Sequence, residues 1–416
     1  MSVADLANDR SARSVTRRYY VVWGSHMAGS SFIAGIYPLF LAARGLDQLQ
    51  INLVIAVYLA VCLLTDVPTG AFADVIGRRA SVVLGCALHM AGYILYYKSY
   101  SYWHFIAAET LDALGKTFAN GPIDAWLVDA LSEAGAGDRL RTVFSRRSQI
   151  WRAASMSGAV VGAYAARGSL ATPFLLSAIA WAVAGLVAFT LMDAGKRSRR
   201  APSIGAELRR RTIESTRAGF NDRGVLMLSS AVMIFSMAWA PWRWEWQRSL
   251  SAGMGVEIVG WLWVAFSLAH MLGAETVVWS KVAWRARARW ITGCVMVESA
   301  AFLLSGFFPM RIALVCALFV IANVASGAIE PVHLTWFNEM IEGENRATLL
   351  SFQSTFGTIG GIFGLPLQGE IVDRLGAGLA WQTIGLLSLL QMPFYLALRG
   401  SRPTPNRPGT EAHASL

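Results

Sequence analysis

Charged residues are scarce in this sequence. They make up 15% of its 416 residues, against about 25% in a typical soluble protein, and apolar residues make up 55%. Apolar runs of about 20 residues, long enough to cross a bilayer, recur from residue 19 to residue 399. Because a backbone in lipid must satisfy its own hydrogen bonds, these runs predict membrane-spanning α-helices.

Cysteines and enzyme motifs are also few. Cys62, Cys86, Cys294 and Cys316 each fall inside an apolar run, far apart and without metal-ligand spacing. We interpret them as small core residues and expect neither a redox role nor a bound metal. The sequence has no phosphate-binding Gly-Lys loop, no H-E-x-x-H motif and no nucleophile–base set. We therefore expect that the protein is neither an enzyme nor an ATP-driven pump, and that it binds no cofactor.

The apolar runs predict twelve spans, numbered here span 1 to span 12. They are placed at 19–42, 50–72, 80–99, 102–131, 146–167, 170–193, 224–247, 256–278, 288–308, 311–338, 347–372 and 378–399. The spans form an N-terminal six-helix bundle at 19–193 and a C-terminal six-helix bundle at 224–399. The remaining segments are an N-terminal cytoplasmic tail at 1–18, a basic cytoplasmic linker at 194–223 and a disordered tail at 400–416.

Basic residues lie mainly on one side of the predicted membrane. The side that holds both termini and the linker carries 27 of the 36 Lys and Arg residues, and the other side carries seven. The positive-inside rule then places both termini in the cytoplasm. The net charge of +10 is explained by this topology, so we expect no nucleic-acid partner.

The two halves of the sequence repeat each other. Residues 121–158 align without gaps with 327–364, which pairs Gly121 with Gly327 and Gly158 with Gly364. Tandem halves imply a pseudo-two-fold axis along the membrane normal and a solute site between them. The prediction is an all-α polytopic membrane protein with twelve transmembrane helices in two pseudo-symmetric six-helix bundles.

The loop between spans 2 and 3 carries a motif, GAFADVIGRR at 70–79. It matches G-x-x-x-D-x-x-G-R-R/K, and in a chain of twelve spans it resembles the loop signature of the major facilitator superfamily. DVPTG at 66–70 and NGPIDAWLVDAL at 120–131 are similar to a bacterial branch with E/D-V-P-T-G and E/D-A-W-L patterns. The second pattern is also similar to the eukaryotic molybdate-anion transporter branch.

The resemblance implies the fold of that superfamily and alternating access to a central site. Two features depart from it. Glu109 stands where drug:proton antiporters have an Arg in span 4, which leaves the drug-antiporter assignment open. The equivalent loop of the second half, at 273–289, keeps basic residues but has lost the acidic-Gly-Arg pattern.

The loop motif has a physical interpretation as a gate. Its glycines allow close helix approach, and its Asp and Arg side chains can pair with neighbouring spans. We interpret it as a latch that holds the cytoplasmic face shut; the alternative is a topology anchor. The latch residues are Asp66, Gly70, Asp74, Gly77, Arg78 and Arg79.

Ionisable residues inside spans point to function because they are costly in lipid. Asp112 and Lys116 lie one turn apart on span 4 and can form an ion pair. The pair is either structural, or it separates when solute or a proton binds. Asp124 and Arg152 lie at similar depth on spans 4 and 5. We predict that they form a buried ion pair, which is either static or a coupling switch.

The second half contributes further candidates. Glu330 is the repeat counterpart of Asp124 but lacks a repeat-related cation, which makes it the stronger protonation candidate, with His333 one turn on. Span 7 ends in a tryptophan cluster that is either an interfacial belt or part of the cavity wall. In the second case Trp242 and Glu245 would contact an aromatic or cationic solute.

Taken together, the sequence predicts a secondary active transporter driven by a proton gradient. We favour export of a small organic compound, either a drug or a metabolite. The alternative is proton-coupled uptake of a nutrient or an oxyanion, which Lys116 and Arg152 would suit. We expect a monomeric multi-pass protein of the bacterial inner membrane whose partners are a small-molecule substrate and the lipid bilayer.

Overall fold

The structure, a computed structural model, describes residues 3–193, 216–251, 254–282, 286–341 and 346–399. Helices account for nearly all of these residues, and no strand occurs among them. Most of the predicted linker, at 194–215, and the predicted disordered tail, at 400–416, lie outside the described residues.

Within the described residues, twelve spans follow one another in the predicted order. In the first half, span 1 consists of Val3–Ser31 and Tyr37–Ala43, and spans 2 to 6 are Gln48–Ile76, Arg78–Lys98, Tyr102–Glu133, Leu140–Ala165 and Thr172–Leu191. In the second half, span 7 consists of Arg223–Trp242 and Trp246–Ser251, spans 8 to 11 are Glu257–Ser280, Arg287–Phe307, Ile312–Met340 and Arg346–Leu375, and span 12 consists of Ala377–Leu389 and Met392–Ala397. The prediction of an all-α polytopic fold is confirmed.

Hydropathy is unevenly distributed over these spans. Among the described residues, seven helical segments are long and apolar enough to cross a membrane by length and composition alone. Spans 1 and 12 are interrupted, and spans 4, 5 and 11 are more polar. Spans 4 and 5 contain many ionisable side chains, and three of them, Asp112, Lys116 and Arg147, line the candidate site.

Span 1 extends well beyond its predicted start. Its first helix begins at Val3 rather than at residue 19, so the predicted tail is largely helical. Asp9 on this extension pairs with Arg139, in the loop between spans 4 and 5, and with Arg13 at 2.8 Å. The hydrogen bond from Arg139 lowers the pKa of the Asp9 carboxyl, which stays ionised and holds the extension against that loop.

The two halves use equivalent glycines for equivalent helix contacts. A Cβ on Gly158 would lie 2.2 Å from the Cβ of Ser31, where span 5 crosses span 1. A Cβ on Gly364 would lie 2.2 Å from the carbonyl oxygen of Met237, where span 11 crosses span 7. Gly158 and Gly364 are paired in the sequence repeat, so the repeat corresponds to a shared packing solution in the fold.

The halves meet where spans 2 and 5 pack against spans 11 and 8. We call the membrane side at which span 1 begins the terminal side, and the opposite one the far side. The contacts lie toward the far side: Asn52 Nδ2 donates to the Leu365 carbonyl at 2.8 Å, and Arg167 pairs with Glu257 at 2.8 Å. Because these links join residues near one membrane surface, the far side of the molecule is closed.

On the terminal side the spans diverge. Gly70 near the end of span 2 and Gly121 on span 4 have no non-neighbouring atom within 4 Å of the position that a Cβ would occupy. Trp151 on span 5 is 44% exposed although it lies within the predicted membrane depth. The space between the halves therefore opens toward the terminal side.

Replacing Gly260 by Leu should open the far side. A Cβ on Gly260 of span 8 would lie 2.8 Å from the Ala159 carbonyl oxygen of span 5, so a larger side chain is incompatible with this closed contact. We expect spin labels at Lys98→Cys and Arg311→Cys, in a background without the native cysteines, to move apart in electron–electron distance measurements.

Gly293→Leu is the matched control, because Gly293 has open space around it. It should leave the distance distribution unchanged. An unchanged distribution in Gly260→Leu as well would contradict the assignment of this contact as the far-side closure.

Candidate functional site

A cavity of about 350 Å³ lies on the inner face of the first half, within the opening between the halves. All six spans of the first half contribute to its wall, and spans 1, 4 and 5 contribute most of it. The lining residues are Trp23, His26, Met27, Ser30, Tyr58, His89, Asp112, Lys116, Asn120, Arg147, Ser148, Trp151 and Trp181.

Glycines bring span 3 unusually close to span 4. A Cβ on Gly85 would lie 2.6 Å from the Gly115 carbonyl oxygen, and one on Gly92 would lie 2.9 Å from the Ala108 carbonyl oxygen. This approach places His89 against Asp112, with His89 Nδ1 2.6 Å from Asp112 Oδ1. His89 thereby becomes part of the cavity wall.

The predicted pair between Asp112 and Lys116 is not formed. His89 occupies the Asp112 carboxylate instead, and the Lys116 ammonium lies 5.0 Å from the centre of the Tyr58 ring. The spacing of four residues allows the two side chains to meet, but a partner from another span binds the carboxylate at shorter range. Lys116 is left with a cation–π contact, which costs less to break than an ion pair at this depth.

Two histidines and a tryptophan form the base of the cavity. The His89 ring stacks on Trp181 at 3.8 Å, and His26 meets the same indole edge-on at 4.7 Å. His26 Nε2 lies 2.8 Å from Asn120 Oδ1. His26 Nδ1 and His89 Nε2 have no hydrogen-bond partner among the described residues. Sequence reasoning did not single out these residues as a group, because their contacts cross four different spans.

Asp124 pairs with Arg147 and not with Arg152, so the predicted pair is wrong. Asp124 Oδ2 lies 3.0 Å from the Arg147 guanidinium, and Tyr19 Oη donates to Oδ1 at 2.9 Å. Arg147 also lies flat over Trp23 at 3.9 Å. Arg147 and Arg152 are five residues apart, which corresponds to about 140° around a helix, so their side chains point in different directions. The prediction compared only the depth of residues in the membrane, and depth does not contain this rotation.

Glu330 is exposed, and its partner comes from span 8 rather than from a position that the sequence repeat relates to Arg147 or Arg152. Its Oε2 lies 3.2 Å from His270 Nε2, and 59% of the side chain is accessible. It also interacts electrostatically with Arg152 of the first half and with Arg243 of span 7. Both arginines therefore face the opening between the halves.

The other second-half candidates lie away from the cavity. Trp242 is buried among aromatic residues of its own half, including Phe319 at 5.5 Å. Glu245 is 1% exposed in the same core. His333 is buried, with Tyr395 Oη 2.9 Å from Nδ1 and Gln353 Nε2 2.8 Å from Nε2. Of the two interpretations of the tryptophan cluster, the cavity wall is therefore wrong for Trp242 and Glu245, because the end of span 7 turns into the core of its own half.

Glu109 accepts hydrogen bonds that stabilise the closed far side. Tyr37 Oη donates to its Oε2 at 2.9 Å, and Tyr96 donates to the same oxygen. Tyr37 lies on the short second helix of span 1, and its ring contacts Trp244 of span 7 at 5.4 Å. Glu109, which stands where drug:proton antiporters have an arginine, therefore holds the short second helix of span 1 in place on the far side of the cavity.

The loop motif makes its contacts within the first half. Gly77 has φ of +97°, a conformation that L side chains rarely adopt, and it separates span 2 from span 3. Arg78 pairs with Asp129 of span 4 at 3.1 Å and with Asp74 at 3.4 Å, and Arg79 lies 5.2 Å from the Phe189 ring.

The remaining gate candidates lie farther along span 2. Asp66 is exposed and interacts electrostatically with Lys116, and Gly70 borders open space. The gate function of the motif stays a prediction in this conformation, in which the terminal side is open.

Comparison with known proteins agrees with this architecture. The sequence model of the Major Facilitator Superfamily matches residues 21–274 and 245–416, which together cover nearly the whole chain. The chain belongs to the major facilitator superfamily. Membership of this family identifies it as a multi-pass membrane transporter and points away from an enzyme.

Similar proteins within the superfamily are distant in sequence. The uncharacterized MFS-type transporter YxaM of Bacillus subtilis (strain 168) is 24% identical over 377 residues, covering 86% of this chain and 90% of YxaM. The multidrug resistance protein MdtH of Edwardsiella ictaluri (strain 93-146) is 24% identical over 344 residues, covering 78% of each chain. A solved point mutant of the nucleoside transporter NupG has a TM-score of 0.78 at 11% identity, covering 92% of this chain and 99% of NupG.

A double-mutant cycle should separate the two possible partners of Asp124. Asp124→Asn and Arg147→Gln should be non-additive in thermal stability, by about 0.5–3 kcal/mol as for residues in contact. Asp124→Asn and Arg152→Gln should be additive, because no ion pair joins them. Thermal unfolding of the purified protein in detergent measures both cycles, and significant coupling only in the second would refute the assignment.

Proposed function

We propose that this member of the major facilitator superfamily is a secondary active transporter that exports a small organic compound in exchange for protons. The observation that carries the proposal is the cavity itself. It lies at mid-membrane depth, carries Asp112, Lys116 and Arg147, and is open to the terminal side while the far side is closed. Charged side chains in such a position favour a solute path over a structural role.

Alternating access follows from where the halves touch. The far-side links between spans 2 and 11 and between spans 5 and 8 must part for the cavity to open on that side. The loop motif between spans 2 and 3 faces the open terminal side and is suited to close it. This supports the interpretation of Asp74, Gly77, Arg78 and Arg79, together with Asp66 and Gly70, as a gate latch.

Proton coupling is supported by acids whose partners lie on other spans. Asp112 is bonded to His89 of span 3, and Asp124 is bonded to Arg147 of span 5 and Tyr19 of span 1. When spans move, such an acid loses its partner in a medium of low dielectric constant and binds a proton to remain neutral. Coupling therefore requires no cofactor beyond the proton gradient.

Export is supported by the relatives. MdtH is named a multidrug resistance protein, and it covers most of this chain. NupG, which shares the fold, is named a nucleoside transporter, so the fold alone does not select the solute. A small organic compound, a drug or a metabolite, agrees with a cavity of about 350 Å³ and aromatic walls.

Uptake of a nutrient or an oxyanion is the second candidate. It is favoured by Lys116 and Arg152, neither of which has a carboxylate oxygen within 4.0 Å among the described residues. Direction is set by the coupling mechanism and not by the fold, so transport assays decide between the two. In either case, the distribution of basic residues favours a bacterial inner membrane with both termini in the cytoplasm.

Cells with and without the gene should differ in the small molecules that they release. We expect one or more organic compounds to leave the cells only when the protein is present and the proton gradient is intact. Mass spectrometry of cells and medium, with and without a protonophore, measures this. Gradient-dependent accumulation inside the cells would reverse the direction, and no difference over a broad panel of compounds would contradict the proposal.

Asp112→Asn should abolish gradient-driven export in the same assay while solute exchange without a gradient persists. The amide keeps the shape of the side chain but cannot be ionised, so the coupling step is blocked. Asp193→Asn is the matched control, because Asp193 is exposed and lies outside the cavity. Equal export by the two variants would show that Asp112 does not couple.

A further inference from the structure

The ion pairs that face the opening are distributed asymmetrically. Asp112 is bonded to His89, Asp124 to Arg147, and Glu330 to His270, each within 3.2 Å. The arginine compensates the charge of Asp124, and the histidines can compensate the charges of Asp112 and Glu330 when they are protonated.

Three cations in the same opening lack such compensation. Across the described residues, no carboxylate oxygen lies within 4.0 Å of the charged nitrogens of Lys116, Arg152 or Arg243. Lys116 rests on the Tyr58 ring, and its interaction with Asp66 is only electrostatic. Arg152 and Arg243 interact electrostatically with Glu330, whose carboxylate is bonded elsewhere.

The positions of these cations suit one ligand. Lys116 lies midway along span 4 and lines the cavity, and Arg152 lies midway along span 5. Arg243 lies in the break of span 7, where its side chain is exposed toward the opening. Uncompensated cations at this depth are costly, and a bound anion would lower that cost.

We infer that the solute carried through this cavity is an organic anion, with its charged group on Lys116 and its apolar body against the aromatic wall. Trp23, Trp151 and Tyr58 provide the wall. Arg152 and Arg243, which both interact electrostatically with Glu330, add positive charge that attracts the same group. This inference rests on the proposed transport function and specifies its substrate class. It also replaces the expectation of a cationic solute, because the tryptophan cluster that motivated it lies in the second-half core.

Three probes with one indole ring and different charge test the inference. Indole-3-acetate is an anion, indole-3-acetamide is neutral and tryptamine is a cation at neutral pH. We expect isothermal titration of the full-length protein in detergent to show about tenfold or stronger preference for the acetate over the amide, as expected for a charge-assisted hydrogen bond. Tryptamine should bind most weakly. Equal or tighter binding of tryptamine or the amide, or no binding of the acetate, would overturn the inference.

Variants assign the preference to a residue. Lys116→Gln should remove most of the preference for the acetate and leave amide binding nearly unchanged, whereas Lys116→Arg should retain it. Lys98→Gln is the matched control, since Lys98 is exposed at the far-side end of span 3. A preference that survives Lys116→Gln intact would overturn the assignment, and since the charge comparison is made on the unmodified protein, it stands even if a variant fails to fold.

Transport assays keep this inference separate from the proposed function. In proteoliposomes with a pH gradient, gradient-driven movement of indole-3-acetate but not of tryptamine supports both. Gradient-driven movement of tryptamine alone leaves proton-coupled transport standing and overturns the anion inference. Selective binding of the acetate without gradient-driven movement supports the anion site and contradicts proton coupling.

Discussion

The cost of an uncompensated charge in the middle of a bilayer governs the arrangement of this site. Three acids that face the opening have a basic group from another span as partner: Asp112 has His89, Asp124 has Arg147, and Glu330 has His270. All three pairs join spans of the same half. They therefore compensate charge and at the same time hold the spans of one bundle together next to the opening.

Glycine determines which of these contacts are geometrically available. The near contact of spans 3 and 4 at Gly85 and Gly92 puts a histidine within reach of the cavity acid. Between the halves, Gly260 lets span 8 touch span 5 backbone to backbone. Small residues thus fix both the local chemistry of the site and the closed state of the far side, because lipid supplies no hydrophobic force between helices and close packing must replace it.

The sequence predicted the features that depend on composition along one span, and it failed where two spans must be oriented against each other. Span number, the repeat and the loop motif follow from hydropathy, offset and residue type. The partner of Asp124 depends on the rotation of span 5, which a depth argument does not contain. The position of Trp242 depends on a break in span 7 at Arg243 to Glu245, directly after Pro241, and the sequence does not show in which direction the chain continues after it. His89 reaches the cavity only through the close glycine contact of spans 3 and 4, which the residue types along one span do not show.

The length of the first helix has a mechanical consequence. Its 29 residues correspond to about 43 Å, more than the roughly 30 Å of a hydrocarbon core, so one end projects from the membrane. That end is fastened to the loop after span 4 by Asp9 and Arg139. The helix is therefore a long rigid element that is held in place outside the bilayer and can bend at the break between Ser31 and Tyr37. The break allows the short helix Tyr37–Ala43, which contacts span 7 through Tyr37 and Trp244, to change direction while the long helix keeps its place in the first half.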